Sequence, residues 1–161
     1  EVVKELHGLD TESQVFFYEH DFYVLSNFSA FSISWRGRLF PTSEHVYHWE
    51  KFDGHQDIQH QIKHARSAHV AFKLAETFRH NRRFGWDEVK VEVMRGILRS
   101  KARQHEYVLK KLLATGDREL IEDSWRDDFW GWGPNRDGQI MMGKLWMEIR
   151  REFQSLPEVK S

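Results

Sequence analysis

The sequence predicts an α+β fold, mostly helical, with a small antiparallel-type sheet built largely from the first third of the chain. Three observations carry this. The runs rich in β-branched and aromatic residues are short and come early. Downstream, apolar residues recur at helical spacing, most clearly at Val89, Val93 and Ile97. The 161 residues suit a single domain, 1–161, able to bury its own core, and no repeat, low-complexity tract or linker divides it.

Taken in order, residues 15–19 are β-branched and aromatic and read as a strand. Residues 21–29 are turn-rich around Ser26, Asn27, Phe28 and Ser29, and residues 31–39 read as a hairpin turned at Arg36, Gly37 and Arg38. The first helix is expected over about 42–52. Pro41 cannot continue a strand ladder, Thr42 is a good N-cap, and Gly54 marks the end. Two more helices are expected over 55–64 and 67–78, the second capped by Ser67 with Val70, Leu74 and Phe78 on one stripe. A basic loop, 79–83, leads to Trp86. The segment 87–104 is the clearest helix, since Asp87 and Glu88 favour its positive end. A helix over 105–113 stops before Gly116, and residues 120–123 suit a short strand. A Gly-rich loop, 127–138, then leads into a last amphipathic helix over about 141–153.

Composition excludes several classes. Lys and Arg number 24 against 25 Asp and Glu, which argues against an extended nucleic-acid footprint while leaving room for a local basic patch. The absence of cysteine removes disulfides, thiolate nucleophiles and Cys-based zinc sites. No apolar run is long enough to span a bilayer and the start of the chain shows no signal-peptide pattern, so a cytoplasmic enzyme is the expectation. Ten histidines include pairs at helical spacing, His45 with His48 and His60 with His64. Neither pair has a third ligand in a recognisable pattern, so no metal is expected.

The chemistry concentrates in Phe40-Pro41-Thr42-Ser43-Glu44-His45-Val46-Tyr47-His48-Trp49-Glu50-Lys51-Phe52. At about 3.6 residues per turn, positions seven apart share a face. Glu44 and Lys51 therefore project the same way, beside Tyr47 and His48, like a pocket wall. Glu44 at the positive end of the helix is kept ionised and suits a base or electrostatic role, although a Glu there also simply complements the dipole. Lys51 in a partly apolar pocket loses basicity and can attack a ring-opened sugar at its aldehyde carbon; it can equally bind a phosphate or sit in solvent. Asp127, a second carboxylate on a separate element, suits glycoside-type hydrolysis with Glu44. Arg82, Arg83 and Lys73 are candidates to hold a phosphate, and Trp86 and Trp130 to stack on a heterocyclic leaving group. Trp130-Gly131-Trp132-Gly133 has a plainer reading as well, tight turns plugged by large rings.

With these residues in view, the chain resembles the YbiA-like, or NADAR, family over about 15–153. The landmarks are Leu25-Ser26-Asn27-Phe28, Phe40-Pro41-Thr42-Ser43-Glu44-His45, Lys51-Phe52, Arg83 with Trp86, and Val93-Met94-Arg95. Leu120-Ile121-Glu122, Asp127-x-Phe-Trp130-Gly131-x-Gly133 and Gly143-x-x-x-Met147-x-Ile149-Arg150 follow in the same order. The resemblance implies a YbiA-like fold and a metal-independent N-glycosidase without cofactor. The family includes enzymes acting on early riboflavin-pathway intermediates and enzymes removing ADP-ribose from nucleic-acid bases. It implies that Glu44, Lys51 and Asp127 are catalytic and that Asn27, Phe28, His45, His48, Arg83, Trp86, Trp130 and Gly131 contact substrate. The expected substrate is a small ribosyl phosphate, such as a riboflavin-pathway ribosylaminopyrimidine phosphate, or an ADP-ribosyl group, with ADP-ribosylated guanine in nucleic acid as one alternative and ligand sensing without hydrolysis as another. The chain departs from the family at His48, where glutamine is usual, at Trp49, where a small residue is usual, and at Ile140-Met141, where asparagine is frequent.

Overall fold

The computed structural model describes residues 11–17, 23–124 and 126–156. Residues 18 and 19 of the predicted first strand, and 21 and 22 of the turn-rich stretch, lie outside the described residues. The fold is α+β and mostly helical, as the sequence predicts. The chain forms two compact units, one running from Asn27 to Glu106 and the other built from the residues before and after it.

The unit Asn27–Glu106 opens with a β-hairpin. Here β1 denotes Gln14–Phe17 of the other unit, while β2 (Ile33–Trp35) and β3 (Arg38–Phe40) form an antiparallel hairpin pairing Ile33 with Phe40 and Trp35 with Arg38. Its turn is Arg36-Gly37 alone, both at positive φ (50° and 76°), the two-residue geometry whose twist matches the strands. Arg38, predicted in the turn, is the first residue of β3. Helices α1 (Ser43–Glu50), α2 (Gln56–Lys63), α3 (Ala68–Thr77) and α4 (Trp86–Gln104) follow. Ser67 caps α3 by accepting from Val70 N, as predicted. The core gathers Ile33, Phe40, Val46, Phe52, Ile62, Met94, Ile97 and Leu98. All eight residues of α1 are buried despite its two glutamates and two histidines, so this helix is interior rather than amphipathic.

In the other unit, β1 pairs in parallel with β4 (Glu119–Glu122), Val15 opposite Leu120 and Phe16 opposite Ile121. The predicted early strand thus finds its partner in the last third of the chain, and the strands form two separate two-stranded sheets. Parallel neighbours require a long crossover, and nothing local in either strand names its partner. Helix α5 (Glu106–Ala114) precedes β4, and α6 (Met141–Gln154) packs on it. Gly143 makes this approach possible, because a Cβ there would overlap the Leu120 carbonyl oxygen. Trp146 Nε1 donates to Leu25 O at 2.9 Å and Arg150 Nη1 to Thr115 Oγ1 at 2.8 Å, tying α6 into its own unit. Among the described residues no helix is long and apolar enough to cross a membrane.

Candidate active site

The N-terminus of α1 is built by local chemistry. Thr42, extended at φ −149°, accepts from His45 N at 3.2 Å, and Glu44 N donates to Asn27 O at 3.0 Å. Two N–H groups that the helix itself leaves unpaired are thereby satisfied. His45 locks the cap: its Nε2–H donates to Ala65 O at 2.9 Å, which leaves Nδ1 to accept from the Thr42 hydroxyl at 2.8 Å. A carbonyl can only accept, so this tautomer follows from the partners. His45, predicted at the substrate, has a fully satisfied capping role.

One turn further on, His48 Nε2 lies 2.9 Å from Glu44 Oε2, with both side chains buried. Burial lowers the His48 pKa, outweighing the Glu44 charge and hydrogen bond that raise it. The neutral ring therefore donates from Nε2 to the carboxylate, and its Nδ1 is a buried acceptor without a hydrogen-bond partner among the described residues. Asn27 Oδ1 and Ser43 Oγ, from the residue that accepts the Glu44 N–H and the residue that precedes Glu44, are buried in the same condition. Orphan buried polar atoms are rare in folded proteins.

Lys51 caps the C-terminal end of α1 and is only 8% exposed. Its pKa is lowered to about 8, first by burial and further by the Arg82 and Lys90 charges, with Glu44 and Glu76 opposing. The amine stands 5.0 Å from the Tyr47 ring centre, and that ring packs 5.3 Å from the buried Trp86. Arg83 lies 5.6 Å from the Trp86 ring, and its backbone N donates to Lys51 O at 2.7 Å. Its Nη1 reaches Glu50 Oε1 at 3.4 Å. Glu50 is itself buried and also accepts from Trp35 Nε1 at 2.9 Å and Arg36 Nε at 2.7 Å. Sequence reasoning assigned Glu50 nothing, although it joins the hairpin and the basic loop to α1. Its position beside Lys51 gave no local sign of this.

The predicted residues thus divide. Glu44, His48, Lys51, Arg83 and Trp86 come together around α1, with Tyr47 as a further member. Asn27 supplies a backbone carbonyl to the start of α1, and Phe28 packs its ring 4.7 Å from His69. Asp127, Trp130 and Gly131 belong to the other unit. There Asp127 Oδ1 accepts from Phe129 N at 2.9 Å and Trp130 N at 2.8 Å, capping the Gly-rich loop. Trp130 is half-buried with its ring edge-on to Phe129, and a Cβ at Gly131 would stand 2.9 Å from Glu122 O. Trp132 packs on Phe16 at 4.7 Å and donates to Asp123 Oδ1 at 3.0 Å, as the gap-plugging reading has it. Among the described residues no group of three or more metal-ligating side chains converges.

A buried carboxylate held by an imidazole in the first turns of α1, with a lysine of lowered basicity at its C-terminal end, is thus the chemical centre of this unit. The model of the NADAR domain matches residues 16–154, and the chain belongs to that family. A riboflavin biosynthesis protein of Vibrio vulnificus is 39% identical over 145 residues, 89% of this chain but only 39% of that longer protein. The N-glycosidase YbiA of Escherichia coli K12 is 35% identical over 133 residues, covering 83% of this chain and 82% of YbiA. The solution NMR structure of E. coli YbiA superposes with a TM-score of 0.81 at 31% identity, over 95% of this chain and 94% of YbiA.

Proposed function

We propose that this chain is an N-glycosidase that hydrolyses the bond between the anomeric carbon of a ribosyl phosphate and a nitrogenous base. The observation that carries the reading is the burial of a carboxylate, Glu44 in the first turn of α1, and of an amine, Lys51 at the helix's C-terminal end, the amine lowered to about 8. The names of the YbiA N-glycosidase and riboflavin-biosynthesis relatives support it, and the ribosylaminopyrimidine phosphates that the family resemblance suggests are the first substrates to try.

Departure of the base leaves positive charge on the anomeric carbon, and the Glu44 carboxylate is buried, where its field is less screened than in water. In the simplest route Glu44 takes a proton from water as the water oxygen bonds to that carbon. The C–N electron pair leaves with the base, whose nitrogen gains a proton. In the second route the neutral Lys51 amine attacks the same carbon, the base departs, and the sugar ring opens to give an imine. Water then hydrolyses the imine, returning the amine and the free sugar. Arg82 and Arg83 would hold the sugar phosphate and Trp86 the leaving ring. Asp127 stays a candidate for proton transfer on sequence grounds, beside its loop-capping contacts.

The test is product analysis. The protein is incubated with a ribosylaminopyrimidine phosphate and, separately, with ADP-ribosylated guanosine, and ribose 5-phosphate or ADP-ribose is measured. Glu44→Gln should reduce release by about 10²-fold or more with the circular dichroism spectrum unchanged. Turnover near that of the parent in this variant, or stoichiometric binding without product, overturns the reading.

A further inference from the structure

Glu50, the last residue of α1, is a buried carboxylate to which the hydrolytic reading gives no task. It is 2% exposed, so its oxygens must find their donors within the protein. The two oxygens divide those donors between them. Oε2 accepts from Trp35 Nε1 at 2.9 Å and from Arg36 Nε at 2.7 Å, and so holds the β2–β3 hairpin. Oε1 accepts from Arg83 Nη1 at 3.4 Å, and the same nitrogen lies 3.5 Å from the Glu50 backbone oxygen. The hairpin needs only one of the two oxygens, and the other is left to set the direction of Arg83.

Nη1 carries two hydrogens, and these two acceptors use both. What remains of the guanidinium is the edge formed by Nε and Nη2, which can meet two oxygens of a phosphate in parallel. Arg83 lines an open groove of about 270 Å³ together with Arg79, Arg82, Trp86, Asp87 and Glu88. Arg79 and Arg82 are exposed, whereas the Arg83 side chain is only 24% exposed. It is fixed at three places: its backbone N donates to Lys51 O at 2.7 Å, its guanidinium lies 5.6 Å from the Trp86 ring, and Nη1 meets Glu50. The backbone bond puts this guanidinium beside the reactive end of α1, and Glu50 is the acidic group that fixes its rotation.

We infer that Glu50 is a positioning residue that acts through Arg83, turning the Nε and Nη2 edge of that guanidinium toward the phosphate of a sugar phosphate. The inference deepens the proposed function and rests on it for the identity of the anion, since there Arg82 and Arg83 hold the sugar phosphate. The sign of the effect separates orientation from charge. A carboxylate 3.4 Å from an arginine repels an incoming anion by Coulomb's law alone, and its removal should then tighten binding. As an orienting group it does the reverse. Its removal weakens binding, because a guanidinium free to rotate must be ordered by the ligand.

Isothermal titration of the full chain with ribose 5-phosphate tests this without turnover. In Glu50→Gln the amide oxygen goes to Trp35 and Arg36, the two closer donors, and the amide NH2 faces Arg83. The hairpin tie survives and the guanidinium is released. Ribose 5-phosphate should bind this variant about tenfold more weakly, with the circular dichroism spectrum unchanged. Arg83→Ala should bind it as weakly. Adding Glu50→Gln to Arg83→Ala should then cost nothing more, since a residue acting through Arg83 has nothing left to act on. Arg83→Lys, which keeps the charge but not the fork, should lose a similar factor, and it decides alone where Glu50→Gln does not fold. Arg36→Ala, which loosens only the hairpin, should stay within about twofold of the parent. Unchanged or tighter binding in Glu50→Gln, parent-like binding in Arg83→Lys, additive losses in the double variant, or a loss in Arg36→Ala as large as in Glu50→Gln overturns the inference. A ribosylaminopyrimidine phosphate that the parent binds without cleaving overturns the proposed function instead, and the titrations keep their meaning for Glu50.

Discussion

Glu44 and His48 are one helical turn apart, and the imidazole Nε2–H donates to Glu44 Oε2 at 2.9 Å inside the protein. The family resemblance places glutamine at position 48, and a glutamine amide is also an N–H donor of suitable reach. A glutamine at 48 is able to make the same kind of donation to the carboxylate, so the tie to Glu44 does not in itself require histidine. It differs in leaving a buried acceptor, Nδ1, where glutamine would present a carbonyl oxygen.

His48→Gln is accordingly expected to keep kcat within about tenfold of the parent, whereas His48→Ala should lose about 10²-fold, because an unheld carboxylate drifts from the reacting carbon. The loss in His48→Ala should fall on kcat more than on KM. Equal kinetics for the two variants would show that His48 does not position Glu44.

The Lys51 amine, lowered to about 8 chiefly by burial, is largely protonated at pH 6.5 and largely neutral at pH 9. If the imine route operates, kcat rises with pH through about 8. Lys51→Arg, which cannot lose its proton, should abolish that rise and most of the activity. Borohydride added during turnover should leave a sugar adduct on Lys51 detectable by mass spectrometry. An active enzyme with a flat profile and no adduct excludes the covalent route in favour of direct attack by water.

Burial lowers the pKa of both His45 and His48 from the ordinary 6.5. Around His45 the Ala65 carbonyl and Glu44 oppose burial and His48 reinforces it; around His48, Glu44 and Glu76 oppose it and Lys51 reinforces it. The unfolded chain therefore takes up protons first as pH falls below about 6.5, and stability present at neutral pH is lost. The melting temperature should drop between pH 7.5 and 5.5, and less so in His48→Gln. An unchanged drop in that variant would mean that other groups set the acid limit.

Ile140 precedes α6 with φ 47° and ψ 39°, the left-handed region that a β-branched residue rarely occupies. The resemblance puts asparagine close to this point, and asparagine tolerates that conformation and is a better residue to open a helix. The departure at Ile140 is thus first a backbone matter. Ile140→Asn should stabilise the fold by about 1 kcal/mol, relief of roughly 1–2 kcal/mol of backbone strain exceeding the loss of a half-buried side chain. Chemical denaturation measures it, and a lower midpoint would show that the packing of Ile140 matters more.

The helices were legible because their signals are local. Thr42 and Ser67 cap where the sequence places them, the apolar spacing of α4 is periodic, and Gly85 and Gly143 sit where the backbone needs no side chain. The grouping of Glu44 with Lys51 follows from helix geometry alone. What sequence reasoning missed has a common character. The partner of β1, the complete burial of α1, the threefold donation to Glu50, the His45 tautomer and the bare ring of Phe84 all depend on residues far away in the chain.

By itself the sequence determined the type and order of the elements and the family to which they belong, because propensity, capping and motif spacing act over a few residues. Only the tertiary structure decided which charges are desolvated and which remain in water. That division sets the basicity of Lys51, holds Glu44 against His48 and leaves Phe84 uncovered, since burial is a property of the packed chain and not of any segment of it.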